Sequence, residues 1–108
     1  MIPSFHAHIY YTPETREVAA AVREELGRRF QVQLGRWHDQ PVGPHLEAMY
    51  QVAFQGDQFN ALTQWLMLNR RGLTVFLHPE TGDALADHRD HAIWMGRLLE
   101  LNLAALSS

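Results

Sequence analysis

The chain has 108 residues, 46% of them apolar and 19% charged, with a formal net charge of −3, seven histidines and no cysteine. That size and balance predict one domain, residues 1–108, able to bury a core unaided, and they exclude a disulfide framework or a thiolate metal site. The mildly acidic charge argues against a nucleic-acid footprint; with no bilayer-length apolar run and no signal-peptide pattern, a cytoplasmic protein away from membranes is expected.

Residues 5–11, Phe5-His6-Ala7-His8-Ile9-Tyr10-Tyr11, alternate and favour strand. Thr12-Pro13 then offers a helix cap and a proline suited to the first helical position. Val18, Val22, Leu26 and Phe30 recur every four residues between charged positions, an amphipathic helix. Residues 31–37 alternate as a second strand, and 38–45, with two prolines and a glycine, form a loop. Residues 49–54 are a third strand. Gly56-Asp57 breaks it, and Asp57 caps a helix running to about Asn69, with Phe59, Leu62, Trp65 and Leu66 on its buried side. Arg70-Arg71-Gly72 ends that helix. Residues 73–78 are a fourth strand, 78–83 a turn, and Asp87 opens a final helix carrying Ile93, Trp94, Leu98 and Leu101.

The order β-α-β-β-α-β plus a terminal helix is the split βαβ, a ferredoxin-like α+β sandwich. Its strands lie in the order fourth, first, third, second, with the first expected antiparallel to the fourth and parallel to the third. Alternation sends Phe5, Ala7, Ile9, Leu73, Val75 and Leu77 toward the helices, and His6, His8, Tyr10, Phe76 and His78 to the other face. His78 then lies near His6 and His8, and His45 joins them from just before the third strand. Gln51, with Gln31 and Gln33, extends the polar lining. The open face also carries Phe76, Met49 and Trp37, an apolar patch that calls for cover by a second copy or by the last helix.

A single strand histidine is usually an ordinary hydrogen-bonded residue; their convergence is what points to a site. Tyr10, Tyr11 and Trp94 read more simply as packing residues, the Asp87–His91 cluster as a solvated helix start, and the glutamates of the first helix as a solvated face.

The blocks Phe5 to Tyr11, Gly43-Pro44-His45 with Tyr50-Gln51-Val52-Ala53-Phe54, His78-Pro79-Glu80-Thr81-Gly82-Asp83 with Asp87-His88, and Ala92-Ile93-Trp94-Met95-Gly96 resemble, in this order, the DOPA 4,5-dioxygenase family. The resemblance implies a ferredoxin-like fold, a homodimer, and non-haem Fe(II) extradiol cleavage of a catechol such as DOPA by O2. On that reading His8, His45 and His78 are the metal ligands, His6 and His88 the acid/base candidates, and Tyr10, Gln51 and Phe76 candidate substrate contacts. Fe(II) is the expected metal, with Zn(II) or Ni(II) as alternative occupants, and imidazole suits all three. The usual carboxylate ligand is open between Glu47 and an all-histidine set, with Asp83 and Asp87 expected to orient His78 or His88. Arg36, Arg89 and Arg97 are open choices for holding a substrate carboxylate. Two other readings fit the same residues: a dimeric module that binds a metal or a small aromatic compound without turnover, and a cofactor-free monooxygenase of the dimeric α+β barrel type.

Overall fold

A single five-stranded antiparallel sheet, with its two longer helices on one face, organises residues 1–106, the part that the computed structural model describes. Strand β1 (Ser4–Tyr10) leads through a 3-10 turn at Pro13–Thr15 into helix α1 (Arg16–Arg29). Strands β2 (Val32–Leu34) and β3 (Met49–Gln55) flank a long loop, and a second 3-10 turn, Gly56–Gln58, opens helix α2 (Phe59–Asn69). Strand β4 (Val75–Pro79), helix α3 (Ala84–Arg89) and strand β5 (Ile93–Met95) follow, with a last 3-10 turn at Leu103–Ala105.

The local signals explain most of this. Thr12 and Thr15 cap each other's backbone N–H groups, with Pro13 at the first helical position. Helix α1 buries Ala19, Val22 and Leu26, and α2 buries Leu62 and Leu66. Together these pack on Ala7, Ile9, Tyr50, Val52, Val75 and Leu77, the helix-facing side of the sheet. Arg71 (φ 54°) and Gly72 (φ 78°) turn the chain out of α2 through the left-handed region. Asp57 caps nothing at α2: it lies inside the 3-10 turn, and Gln58 precedes the helix without a side-chain cap.

The strand order is β2-β3-β1-β4-β5. Its first four strands follow the expected order and are compatible with a ferredoxin-like sandwich. Three expectations are corrected. First, β1 is antiparallel to β3 as well as to β4. β2 and β3 are themselves antiparallel, and the reversal between them turns β3 against β1. The start of β3 therefore lies beside the end of β1, with Met49 opposite Tyr10. Second, the long terminal helix is absent among the described residues. Asp83, not Asp87, caps the short α3, and Ile93–Met95 forms a strand paired with Leu77–Val75. Gly96, at φ 90°, then leaves the strand in a conformation that only glycine takes freely. Third, Trp37 packs on the helix side, edge-on to Tyr11 and Tyr50, rather than on the open face.

The second face of the sheet is covered by the chain itself. Tyr10, Met49 and Phe76 are buried there beneath Ala92, Trp94, Leu99 and Leu101. Leu101 forms a β-bridge with His45, and the Asn102 N–H donates to Pro44 O at 2.8 Å. No helix among the described residues is long and apolar enough to cross a membrane.

Candidate metal and catalytic site

Five imidazoles meet between the sheet and this cover. His6 and His8 point from β1 and His78 from β4, and His6 is directly opposite His78 in the ladder. His45 reaches them by a route opposite to the one expected. Its loop starts beyond the far end of β1 and folds back over the face, so that its ring lies 4.1 Å from that of His8. Asp39 anchors the loop, accepting hydrogen bonds from the Tyr11 hydroxyl (2.7 Å) and Arg16 Nε (3.1 Å). The ring of His88, on α3, lies 4.0 Å from that of His78, tilted by 36°. His88 lies in the last turn of α3 rather than at the start of a helix. Phe76 forms the floor, fully buried, within 6.3 Å of the rings of His8, His45, His78 and His88. Gln51 stands opposite His8 on β3.

Each ring has a defined partner. His78 donates from Nδ1 to Pro79 O at 2.9 Å, and His88 from Nδ1 to Ala84 O at 2.7 Å. In the neutral form both keep a lone pair on Nε2. Backbone carbonyls, not Asp83 or Asp87, orient these two rings. Asp83 accepts from Ala86 N–H, and the buried Asp87 accepts from the Thr81 N–H (2.8 Å) and hydroxyl (2.6 Å). Nε2 of His8 sits 3.0 Å from Nε2 of His78, and Nδ1 of His8 is buried without a partner. His45 Nδ1 is 2.6 Å from the Tyr10 hydroxyl. Glu47, left open from sequence as a carboxylate ligand, reaches Arg97 instead (3.4 Å), and Arg89 pairs with Asp90.

The carboxylate that does enter the cluster is Glu80, 2.6 Å from His6 Nδ1. Sequence reasoning missed it because the strand was ended at His78. Continuing the alternation of Phe76 and His78 by one more step puts Glu80 on the same face, and its N–H continues the ladder to Ser4 O at 3.0 Å.

Burial dominates the electrostatics. Desolvation, then the neighbouring imidazoles, holds the pKa of His8 well below the ordinary histidine value. Desolvation likewise takes His45 and His78 down to about 4 and lowers His6. These rings are neutral at neutral pH, the form that binds metals. Ligand nitrogens of His6, His8 and His78 lie within 4.8 Å of one another, so this trio can hold a metal ion. The 3.0 Å between the two Nε2 atoms suits adjacent ligands at metal–nitrogen bonds of about 2.1 Å. His8, His45 and His78 are almost wholly buried, whereas the His6 side chain is 26% exposed, so the cluster meets solvent at the His6–Glu80 corner.

Comparison with known proteins gives the family. The model of the Dopa 4,5-dioxygenase family matches residues 5–105. The chain is 38% identical over 113 aligned positions to an uncharacterized 21.2 kDa protein of Botryotinia fuckeliana, covering 94% of this chain and 62% of that protein. It is 30% identical to a DOPA 4,5-dioxygenase of Amanita muscaria, covering 97% of this chain and 50% of that protein. The chain thus spans about half to three-fifths of these relatives' length. A crystal structure from Nostoc punctiforme, described as a candidate dioxygenase, superposes with a TM-score of 0.95 at 56% identity, over 96% of this chain and 90% of that one. With the family model matched over nearly its whole length, the chain belongs to the DOPA 4,5-dioxygenase family.

Proposed function

We propose that the protein is a non-haem Fe(II) extradiol dioxygenase that opens the ring of a catecholic substrate such as DOPA. The observation that carries this reading is the convergence of imidazoles from β1, β4, α3 and the 38–48 loop in one cluster, with those of His8, His45 and His78 buried and held neutral by desolvation. In the reaction the carbon–carbon bond next to the diol breaks and both atoms of O2 enter the product. Bound iron would supply a template that binds the deprotonated diol and brings dioxygen beside it. His6, His8 and His78 are the proposed ligands, His6 taking the place that the sequence reading gave to His45. Glu80 orients His6 through Nδ1, as carboxylates commonly orient metal-binding imidazoles.

The remaining residues have proton and positioning roles. His88, with its Nε2 lone pair free of the backbone bond, takes a proton from the substrate hydroxyl and returns it to the product, a role worth about 10²–10⁴-fold. Phe76 and Gln51 present an apolar and a polar wall to the ring, and the cover over the face limits water. Pairing of two copies belongs to the proposal and rests on exposed Met67, Leu68, Ile93 and Leu98; sedimentation showing only monomer at micromolar concentration would remove it.

The test is anaerobic loading with Fe(II), then air and DOPA, caffeate or protocatechuate. A coloured ring-opened product with one O2 consumed per substrate is expected. Failure with every catechol, despite one bound iron per chain, leaves a binding module; turnover without any metal leaves the cofactor-free monooxygenase. His8→Ala or His78→Ala that retains full iron overturns the ligand assignment.

A further inference from the structure

We infer that Tyr10 is a positioning residue that holds His45 as its Nε2–H tautomer, so that His45 is a hydrogen-bond donor of the pocket and not a metal ligand. The evidence is the 2.6 Å contact between the Tyr10 hydroxyl and His45 Nδ1. A tyrosine hydroxyl both donates and accepts, so the direction of this bond must be argued. Tyr10 is 3% exposed, and His45 is the partner its hydroxyl has among the described residues. Were His45 the donor, the phenolic proton would be left without an acceptor in a buried site, which costs more than the bond returns. Tyr10 therefore donates. His45 Nδ1 carries the lone pair, and a neutral imidazole with that pattern has its only proton on Nε2.

The other two oriented rings have the opposite arrangement, because a backbone carbonyl can only accept. His78 and His88 carry their protons on Nδ1, toward Pro79 O and Ala84 O, and keep lone pairs on Nε2. The fold thus fixes non-equivalent tautomers within one cluster of rings. Tyr10 is itself held in place: its N–H donates to Thr74 O at 3.0 Å, and its ring stacks 6.0 Å from Trp94. The His45 backbone is pinned by reciprocal bonds with Val42 and the bridge to Leu101. An imidazole held this way offers an N–H to an oxygen bearing negative charge and has no free lone pair for a cation.

Under the proposed function, on which this role rests, that oxygen belongs to the diolate or to the ring-opened product. The assignment itself can be read without turnover. The metal-free protein, ¹⁵N-labelled at histidine, is examined by long-range ¹H–¹⁵N correlation at pH 7.5, with His45→Asn identifying the His45 signals. His45 is expected as the Nε2–H form in the wild type. In Tyr10→Phe, which removes one oxygen and little volume, it is expected to become a tautomer mixture while His78 and His88 are unchanged. An Nδ1–H form in the wild type, or no change in Tyr10→Phe, overturns the inference. In a competitive Zn(II) titration, Tyr10→Phe and His45→Asn are expected to bind within threefold of wild type and His78→Ala at least 100-fold more weakly. Loss of metal by His45→Asn equal to that of His78→Ala, with both variants folded by circular dichroism, also overturns it. If catechol opening is observed, Tyr10→Phe is expected to lower kcat 10- to 100-fold with little change in KM. If no catechol is opened, the proposed reaction fails while the tautomer and metal results still decide this inference.

Discussion

Two carboxylates a few residues apart have different tasks at the histidine cluster. Glu80 touches a ring of the cluster, at His6 Nδ1; Asp87 touches none and instead holds Thr81 by two hydrogen bonds while 1% exposed. Glu80→Gln is therefore expected to weaken metal binding about 10- to 100-fold, the usual effect of removing a ligand's orienting partner, with little change in folding stability. Asp87→Ala is expected to cost about 1–2 kcal/mol, since it removes the two hydrogen bonds by which the buried carboxylate ties the Thr81 turn to α3, while leaving one metal per chain. Metal competition and urea denaturation on both variants separate the two effects; equal metal loss in both would contradict the division. The buried rings add a pH dependence with a definite sign. His45 and His78 have folded pKa values near 4, lowered by burial from 6.5. Between about pH 4 and 6.5 the unfolded chain binds more protons than the folded one, so stability present above pH 6.5 is lost as pH falls through that window. The metal-free protein should lose a few kcal/mol between pH 7 and pH 4.5, seen as a falling urea midpoint. A midpoint unchanged across that range would falsify the burial-driven shifts.

The alternation of Phe5 to Tyr11 and the four-residue spacing of Val18, Val22 and Leu26 were legible because each residue's neighbours in sequence report its face. They gave β1, α1 and the facing of His6, His8 and His78. The direction of β3 was not legible, because strand polarity follows from how successive connections reverse the chain and not from composition. Trp37 was misplaced for a related reason: the alternation of residues 31–37 was carried beyond Leu34, where β2 ends. The terminal segment failed on length. Trp94, Leu98 and Leu101 mimic helical spacing, and three strand residues, Ile93–Met95, are too few to show period two. Gly96 decides the matter. It sits at φ 90°, and an added Cβ would approach the Thr74 Cα and Oγ1 to 3.3 Å. Gly96→Ala, which would favour the expected helix, is instead expected to destabilise by about 1–3 kcal/mol and to lower the melting temperature by at least several degrees. A higher melting temperature would restore the helical reading of this segment.

At the scale of the whole molecule, one sheet separates two environments of different character. The helix side is a continuous apolar core. The other side holds the imidazoles under a thin cover drawn from two stretches distant in sequence, the 38–48 loop and residues 97–105. His6, His8 and His78 hang from the sheet, whereas His45 hangs from the cover, and this division sets what happens if the cover is loosened. Replacing Leu99 and Leu101 together by serine removes apolar contacts to Tyr10, Met49 and Phe76 without touching β1 or β4. Dye binding to the newly exposed apolar surface should rise, and the His45 tautomer should become mixed. Zn(II) affinity should stay within a fewfold of wild type, because the three ligand nitrogens are held by strand pairing. Turnover should fall sharply, since both the donor and the exclusion of water come from the cover. If the metal leaves together with the cover, at a cost like that of His78→Ala, then the ion is held between the sheet and the loop, and His45 is one of its ligands.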